Sequence, residues 1–405
     1  MKTRDYVSMN VYWFGLSFMW NGLHPIVLPA LLLRFVPESL KNTYLGGLTF
    51  AGLLLAMIVQ PLAGALSDRF HLRWGRRRPW ILAGTLLSLL FLAGMALAGG
   101  FWVLLAAYTL LQIASNGAHG PAQGLIPDLV SEERHGLAAG IKNLFDMGGL
   151  VVVSLVAGKL MSGGNLGLAF AIIGGVLASC AAVTILATPE PPTPACDEPA
   201  AGYSLRDLLH VDFESHTDYV RLIVSRFFIL LGIYAVQSFA QYYIRDRLGI
   251  PNAAEVTGNL LATIGIALTV LVFPAGMLSD RLGRRGLNVF AGGLAAAGLL
   301  LLILVRSVSS LYFFGGLIGA ATGIFVSVNW ALATDLIPKS EAGKYLGLSN
   351  LATAGAGAAG RLAGPLIDLF NGLRPGSYLG YPVLFALASA SALLGTLLLL
   401  RVRKR

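Results

Sequence analysis

Four polar side chains lie on one face of a predicted helix between residues 112 and 123. Gln112, Asn116, His119 and Gln123 are spaced by four, three and four residues, which aligns side chains along a helix. Their amide and imidazole groups both donate and accept hydrogen bonds. This stripe therefore suits a polar solute with hydroxyl groups. Its alternative interpretation is a polar seam that joins neighbouring helices by hydrogen bonds.

Polar and aromatic residues in other apolar runs extend the candidate solute site. They are Trp20, Asn21, His24, Tyr234, Gln237, Gln241, Asn329 and Trp330. The two tryptophan rings could stack on the C–H face of a sugar ring, although packing against other side chains is the commoner role of a tryptophan. No phosphate-binding loop, metal-ligand set or pair of nucleophile and base accompanies these residues. We therefore expect a binding site rather than an enzyme, with no cofactor and no metal.

The composition indicates that these residues lie within a membrane. The chain is 56 % hydrophobic and 12 % charged, whereas roughly a quarter of a soluble domain is charged. Apolar runs of about 20 residues cross a bilayer core as helices, and we predict an all-α polytopic fold with twelve such runs. Spans one to twelve are predicted at residues 8–34, 43–66, 79–98, 101–127, 137–160, 166–187, 219–244, 254–278, 287–305, 310–336, 345–371 and 380–400.

The distribution of Lys and Arg predicts the topology. Only seven of the 29 lie in loops on one side: Arg34, Lys41, Lys159, Arg245, Arg247, Arg306 and Arg374. The excess on the other side predicts that both termini are cytoplasmic, in a plasma or inner membrane. The net charge of +9 does not indicate nucleic-acid binding, because the basic residues separate apolar runs instead of covering a polar domain.

Two segments of the first half recur in the second. "GALSDR" at 64–69 returns as "GMLSDR" at 276–281, and "PDLVSEERHGLAAGIKNL" at 127–144 aligns with "TDLIPKSEAGKYLGLSNL" at 334–351. Parallel duplication of six spans is typical of transporters. We predict an N-terminal six-helix bundle at 1–187, a proline-rich cytoplasmic linker at 188–218 and a C-terminal six-helix bundle at 219–405.

The repeated segments also carry charges that could form a cytoplasmic gate. The proposed gating network comprises Asp68, Arg69, Arg76, Asp128, Asp280, Arg281, Arg284 and Asp335. Aspartates at helix ends can pair with these arginines and with helix termini, and such pairs could break as the two halves separate. The alternative is that the arginines only set the topology and the aspartates are solvated.

These segments resemble the signature of the major facilitator superfamily, G-x-L-S-D-R followed by G-R-R between spans two and three and again between spans eight and nine. The resemblance implies a transporter with two pseudo-symmetric six-helix bundles. A closer resemblance is to the sucrose/proton symporters and related glycoside–cation symporters. It rests on "IVQPLAGALSDRFHLRWGRRRPWI" at 58–81, "NGAHGPAQGLIPDL" at 116–129 and "LHPIV" at 23–27, and it implies a sugar or glycoside carried with a cation.

The chain departs from the sucrose-symporter pattern within the polar stripe. Gln112 stands where that group has a protonatable aspartate, Gln123 where it has an arginine, and His119 where it has a glutamine. Because glutamine does not titrate, a coupled proton would have to bind elsewhere. The candidates are Asp146, His24 and His119, and we expect a proton rather than sodium.

Three further charges lie within predicted spans, Lys142, Arg226 and Arg361. Ionisable groups inside a membrane are costly and usually mark a pathway. Lys142 lies one helical turn before Asp146, so it could neutralise Asp146 as a structural partner or tune its pKa. Both interpretations remain open.

The sequence favours a secondary active transporter that moves a small polar solute, a sugar or glycoside, by proton symport. A proton-coupled exporter of drugs or metabolites is the alternative, and a non-transporting membrane scaffold or assembly factor is the second. We expect a monomer in the lipid bilayer whose partners are the solute and the coupling cation, with no nucleic acid.

Overall fold

The computed structural model describes residues 3–69, 74–190, 216–337 and 342–402, which are helical over most of their length. These residues belong to two compact units. The first contains spans one to six together with Pro251–Ala262, where span eight begins, and the second contains span seven and the chain from Thr263 onward. Most of the predicted linker lies outside the described residues, so the domain boundaries stay a prediction.

The helices of spans one to six follow the predicted runs closely. Span one comprises Thr3–Gly22, a π-helical turn at Leu23–Val27 and Leu28–Leu32, and the next spans are Lys41–Arg69, Arg78–Ala96, Phe101–Gln123 with Leu125–Leu129, His135–Ser162 and Leu166–Ala187. Short 3₁₀ turns at Glu38–Leu40 and Glu132–Arg134 precede spans two and five.

The helices of spans seven to twelve do the same. They are Thr217–Asp246, Ala253–Leu282, Arg284–Leu301 with a 3₁₀ turn at Leu302–Leu304, Val308–Leu336, Ala342–Arg361 with Gly364–Leu373, and Gly380–Leu399. Within the described ranges, eleven of the helical segments are long and apolar enough to cross a membrane. The predicted all-α membrane fold is confirmed.

Span eleven differs from the continuous helix predicted for residues 345–371. It ends at Arg361 and resumes at Gly364. Pro365 explains the break, because its ring clashes with the carbonyl four residues earlier, which belongs to Arg361. At the break the backbone hydrogen bonds span three residues instead of four. Leu362 N–H, for example, donates to Ala359 O at 3.0 Å.

Span one changes its winding where the candidate site begins. Pro25 lacks an N–H group and crowds the carbonyl of Asn21, so a regular α-helix is disfavoured there. The chain forms a π-helical turn from Leu23 to Val27 instead. Such turns are frequent at functional sites, and this one carries His24.

Spans two and four approach closely because glycines line their contact. A Cβ on Gly120 would lie 2.1 Å from the carbonyl oxygen of Gln60, and a Cβ on Gly52 would lie 2.5 Å from the Tyr108 hydroxyl. Larger residues at these positions would force the helices apart. The glycines therefore allow span two to pack directly against the face of span four that carries Tyr108 and Gln112.

Candidate functional site

A chain of hydrogen bonds joins span one to span four in the first unit. Asn116 Nδ2 donates to Gln112 Oε1 at 3.0 Å and to the Gln112 carbonyl oxygen at 2.8 Å, and Gln112 Nε2 donates to the Tyr108 hydroxyl at 2.7 Å. The same hydroxyl lies 2.9 Å from His24 Nε2. The Tyr108 hydroxyl accepts from Gln112 and bridges it to His24, and the tautomer of His24 determines which of the two groups donates in that second bond. Three buried side chains thus hold the half-buried His24 in place.

Aromatic rings complete this part of the site. Trp20 stacks on His24 with ring centroids 4.9 Å apart and an interplanar angle of 29°. Tyr108 meets Trp20 edge-on at 6.5 Å. Trp20 and His24 are half-buried, so they can contact a solute, whereas Tyr108 is buried. We name Trp20, His24, Tyr108, Gln112 and Asn116 the polar relay.

Asn21, predicted to bind solute, donates its side-chain hydrogen bonds within its own helix. Its Nδ2 donates at 3.0 Å to both the carbonyl oxygen and the hydroxyl of Ser17. Ser17 in turn donates to the carbonyl oxygen of Asp146 at 2.6 Å, which ties span one to span five. The Asn21 amide therefore contributes to the contact between spans one and five, and its role in solute binding stays a prediction.

The other two residues of the predicted stripe form a separate group around Trp13. The His119 ring meets Trp13 edge-on at 4.9 Å, and Gln123 Nε2 lies 3.4 Å from His119 Nε2. Lys142 Nζ lies 3.9 Å from the centroid of the same indole ring, within the range of a cation–π contact. Gln123 is exposed and His119 is half-buried. The stripe thus divides into two groups of side-chain contacts, and its role in solute binding stays a prediction.

The structure gives Lys142 and Asp146 different surroundings. Both are half-buried, but no ion pair within 4 Å involves Asp146 in the described part of the chain. Lys142 rests on Trp13 instead. Lys142 and Asp146 still lie within electrostatic range of each other. Both interpretations, a neutralising pair and a proton site tuned by Lys142, therefore stay predictions.

Sequence reasoning missed Tyr108 and Trp13, although both continue patterns that it used. Tyr108 precedes Gln112 by four residues, so one more turn of the same stripe would have included it. Trp13 precedes Trp20 by seven residues, which is two helical turns on the same face of span one. Their aromatic character hid them, because buried aromatic residues are usually counted as packing.

The second unit contains its own polar interior around Arg226. Arg226 Nε donates to Thr353 Oγ1 at 2.8 Å, and its Nη1 donates to Asn329 Oδ1 at 2.9 Å. Arg361 Nη1 donates to the carbonyl oxygen of Gly357 at 2.6 Å. These contacts join spans seven, ten and eleven.

The remaining predicted residues of the second unit differ in exposure. Tyr234 and Gln237 are half-buried, and Gln241 is buried. Trp330 is 39 % exposed and follows the fully buried Asn329. The proposed stacking of Trp20 and Trp330 on a sugar ring stays a prediction.

A buried arginine is the centre of the charged cluster in the first unit. Arg77 Nη2 lies 2.5 Å from Asp68 Oδ1, and its Nε lies 2.8 Å from Asp128 Oδ2. Arg76 Nε donates to Asp128 Oδ2 at 3.1 Å, and its Nη2 also contacts this carboxylate. Arg77, absent from the predicted network, is its most connected member.

Glu190 closes this cluster from the end of span six. Its Oε1 accepts from the backbone N–H groups of Arg76 and Arg77, each at 2.8 Å, and its Oε2 accepts from that of Arg78 at 3.2 Å. A carboxylate at this place accepts hydrogen bonds from N–H groups that have no partner within the helix at the start of span three. Burial lowers the pKa of the Arg76 guanidinium, but its bond to Asp128 and the nearby carboxylates outweigh this and raise the pKa above its usual value.

The second unit has a simpler version of the same cluster. Arg284 Nη2 lies 3.0 Å from Asp280 Oδ1, and its Nη1 lies 2.6 Å from Asp335 Oδ1. Arg69 and Arg281 are exposed and form no ion pair within the part of the chain that the structure describes. Each aspartate of the predicted network is therefore paired within its own unit, and the gating role stays a prediction.

The turn before each arginine group needs a glycine. Gly75 has φ of +100° and Gly283 has φ of +88°, backbone angles that residues other than glycine rarely adopt. The same backbone conformation therefore explains why the repeated motif has a glycine at this place in both units. Within the described ranges no group of three His, Cys, Asp or Glu residues could hold a metal ion.

Comparison with known proteins decides the family. The family model described as Major Facilitator Superfamily matches residues 6–360 and 222–405. The chain belongs to the Major Facilitator Superfamily. This confirms the superfamily resemblance and makes the protein a multi-pass membrane transporter by family.

Relatives within the superfamily differ in what their names describe. The chain is 25 % identical over 381 residues to the multidrug resistance protein MdtG of Serratia proteamaculans, covering 91 % of this chain and 88 % of that one. It is 26 % identical over 422 residues to the lactose permease of Lactobacillus helveticus, covering 96 % and 61 %.

A solved structure supports the fold. A bacterial homolog of the human lysosomal transporter Spinster, in an inward-facing and occupied conformation, superposes with a TM-score of 0.77 at 16 % identity, covering 98 % of this chain and 96 % of that one. These superfamily members leave the closer resemblance to sucrose/proton symporters as a prediction.

Proposed function

We propose that this protein is a secondary active transporter of a sugar or glycoside, driven by proton symport with alternating access. The observation that carries the proposal is the polar relay, in which buried amides and a tyrosine hold His24 and Trp20 at a half-buried surface. Neutral donors and acceptors beside a tryptophan ring match the alternating hydroxyl groups and C–H faces of a sugar.

The coupling proton requires a group that can gain and lose charge. Within the relay, His24 is the one residue of a type whose charge ordinarily changes near neutral pH, because Gln112 replaces the aspartate of the resembled symporters. Asp146 is the half-buried carboxylate of span five, and the hydrogen bond of Ser17 to its backbone connects it to span one. We assign the coupling proton to Asp146, with His24 and His119 as the next candidates.

Uptake into proteoliposomes tests the proposal. Labelled sugars and glycosides would be offered with and without an imposed pH or sodium gradient. Symport predicts accumulation when the outside is acidic and none without a gradient. Sodium-driven uptake would replace the proton with sodium, and failure of every sugar to enter would reject the proposed solute class.

A pair of tyrosine variants links the uptake to the relay. Tyr108→Phe removes the hydroxyl between His24 and Gln112, and one lost hydrogen bond of about 1 kcal/mol raises the half-saturation constant about fivefold. Tyr12→Phe is the matched control, because Tyr12 is equally buried and its hydroxyl lies 3.1 Å from Thr85 Oγ1, outside the relay. Equal effects of both variants would reduce the relay to helix packing.

The second candidate function is proton-coupled export of drugs or metabolites. The similarity to MdtG along 91 % of the chain favours it. Antiport predicts that an acidic exterior expels a preloaded solute from correctly oriented vesicles, which is opposite to the direction expected for symport. The sign of the pH effect therefore separates the two candidates.

A further inference from the structure

The second unit contains a buried positive charge that, among the described residues, forms hydrogen bonds to neutral oxygens. Arg226 is 5 % exposed. Its guanidinium donates hydrogen bonds to the Thr353 hydroxyl at 2.8 Å and to the Asn329 amide oxygen at 2.9 Å. No carboxylate lies within 4 Å of its guanidinium among the residues that the structure describes. A buried charge without an opposite charge destabilises a protein, and such charges inside a membrane usually serve a function.

The neighbouring amide has an unused donor. Asn329 is fully buried, and its Oδ1 accepts from Arg226 while its Nδ2 has no hydrogen-bond partner. Because one amide carries both atoms, this donor lies close to the guanidinium. Buried donors are nearly always satisfied by protein, water or a ligand. Arg226 and Asn329 thus present a charge and a donor that both require an acceptor.

The pair lies where three helices of the second unit meet. The pair joins span seven to span ten, and Thr353 adds span eleven. An anion bound here would touch several helices at once and would therefore stabilise their arrangement.

We propose that Arg226 and Asn329 recognise a carboxylate group on the transported solute. A carboxylate only accepts hydrogen bonds, and its two oxygens can be shared between a guanidinium and an amide donor. Its single negative charge is opposite to that of Arg226, for which the described residues supply no carboxylate partner within 4 Å. The inference deepens the proposed function and rests on it: among sugars, the acid form binds more tightly than the neutral form.

Thermal unfolding of the purified full chain in detergent tests the proposal at constant ionic strength. The probes are glucuronate with glucose as its neutral counterpart, benzoate as a carboxylate without a sugar, and sodium chloride. We expect at least one carboxylate to raise Tm with saturation at increasing concentration, while its neutral counterpart raises it less. Chloride at equal concentration should leave Tm unchanged.

Three variants connect the stabilisation to this pair. Arg226→Gln should abolish it. Asn329→Asp should also abolish it and should raise the Tm of the unliganded protein, because the new carboxylate neutralises Arg226 from within. Arg221→Gln is the matched control and should keep the full ligand effect, since Arg221 lies on the same helix but is paired with Asp218 at 3.1 Å. If Arg226→Gln does not fold, Asn329→Asp carries the test.

The possible outcomes separate this inference from the proposed function. Stabilisation by benzoate but by no sugar would support the carboxylate site and reject a sugar as solute. Stabilisation by glucose but by no carboxylate would support a sugar as solute and reject the carboxylate site. Equal stabilisation by chloride, or a carboxylate effect that persists in both site variants, would overturn the inference.

Discussion

Asp128→Asn should destabilise this protein far more than Asp335→Asn, although the internal repeat aligns the two aspartates. The Asp128 side chain is 20 % exposed and serves two arginines, of which Arg77 is only 6 % exposed. The Asp335 side chain is 47 % exposed and serves Arg284, which is 30 % exposed. Burial and the number of partners therefore differ at equivalent positions.

The magnitude follows from these exposures. Removing one partner of a buried ion pair costs about 3–5 kcal/mol. The Asp128 carboxylate is partly solvated, and Arg77 keeps Asp68 at 2.5 Å, so we expect about 2 kcal/mol for Asp128→Asn. Exposed pairs contribute less than about 1 kcal/mol, and Arg284 keeps Asp280. About 0.5 kcal/mol is therefore expected for Asp335→Asn.

Thermal unfolding in one detergent at one scan rate measures the difference. About 2–4 °C per kcal/mol is usual for a unit of 150–250 residues. Asp128→Asn should thus lower Tm by roughly 4–8 °C, and Asp335→Asn by about 1–2 °C. Equal shifts, or a larger shift for Asp335→Asn, would refute the argument that burial of the partner arginine sets the cost.

Two further predictions concern the first unit. Asp146→Asn should abolish gradient-driven accumulation but spare solute exchange, because a neutral amide resembles a protonated acid, and Tm should change little since Lys142 already rests on an aromatic ring. Accumulation that survives in this variant would exclude Asp146 as the proton site. Gly120→Ala should cost about 1–3 kcal/mol by overpacking, measured as lost Tm and lost monodisperse yield, because its Cβ would lie 2.1 Å from a backbone oxygen of span two. Gly117→Ala, with nothing within 4 Å of its Cβ, is the control and should keep both.

The positions of the helices could be predicted from the sequence because a membrane restricts the choices. Backbone groups in lipid must be satisfied within the segment, so an apolar run of sufficient length forms a helix. The predicted spans accordingly agree with the observed helices, and the repeated motifs indicated the superfamily. The break in span eleven was missed, although Pro365 carries the signal for it.

Only the tertiary structure decided which polar groups act together. Periodicity places Gln112 and His119 on one helical face, but it does not show that the first contacts Tyr108 and the second contacts Trp13. Likewise, nothing in the spacing of Arg226 and Asn329 indicates that they touch, because 103 positions separate them along the chain. The sequence of a helix determines which residues share a face, whereas the packing of all helices determines what that face meets.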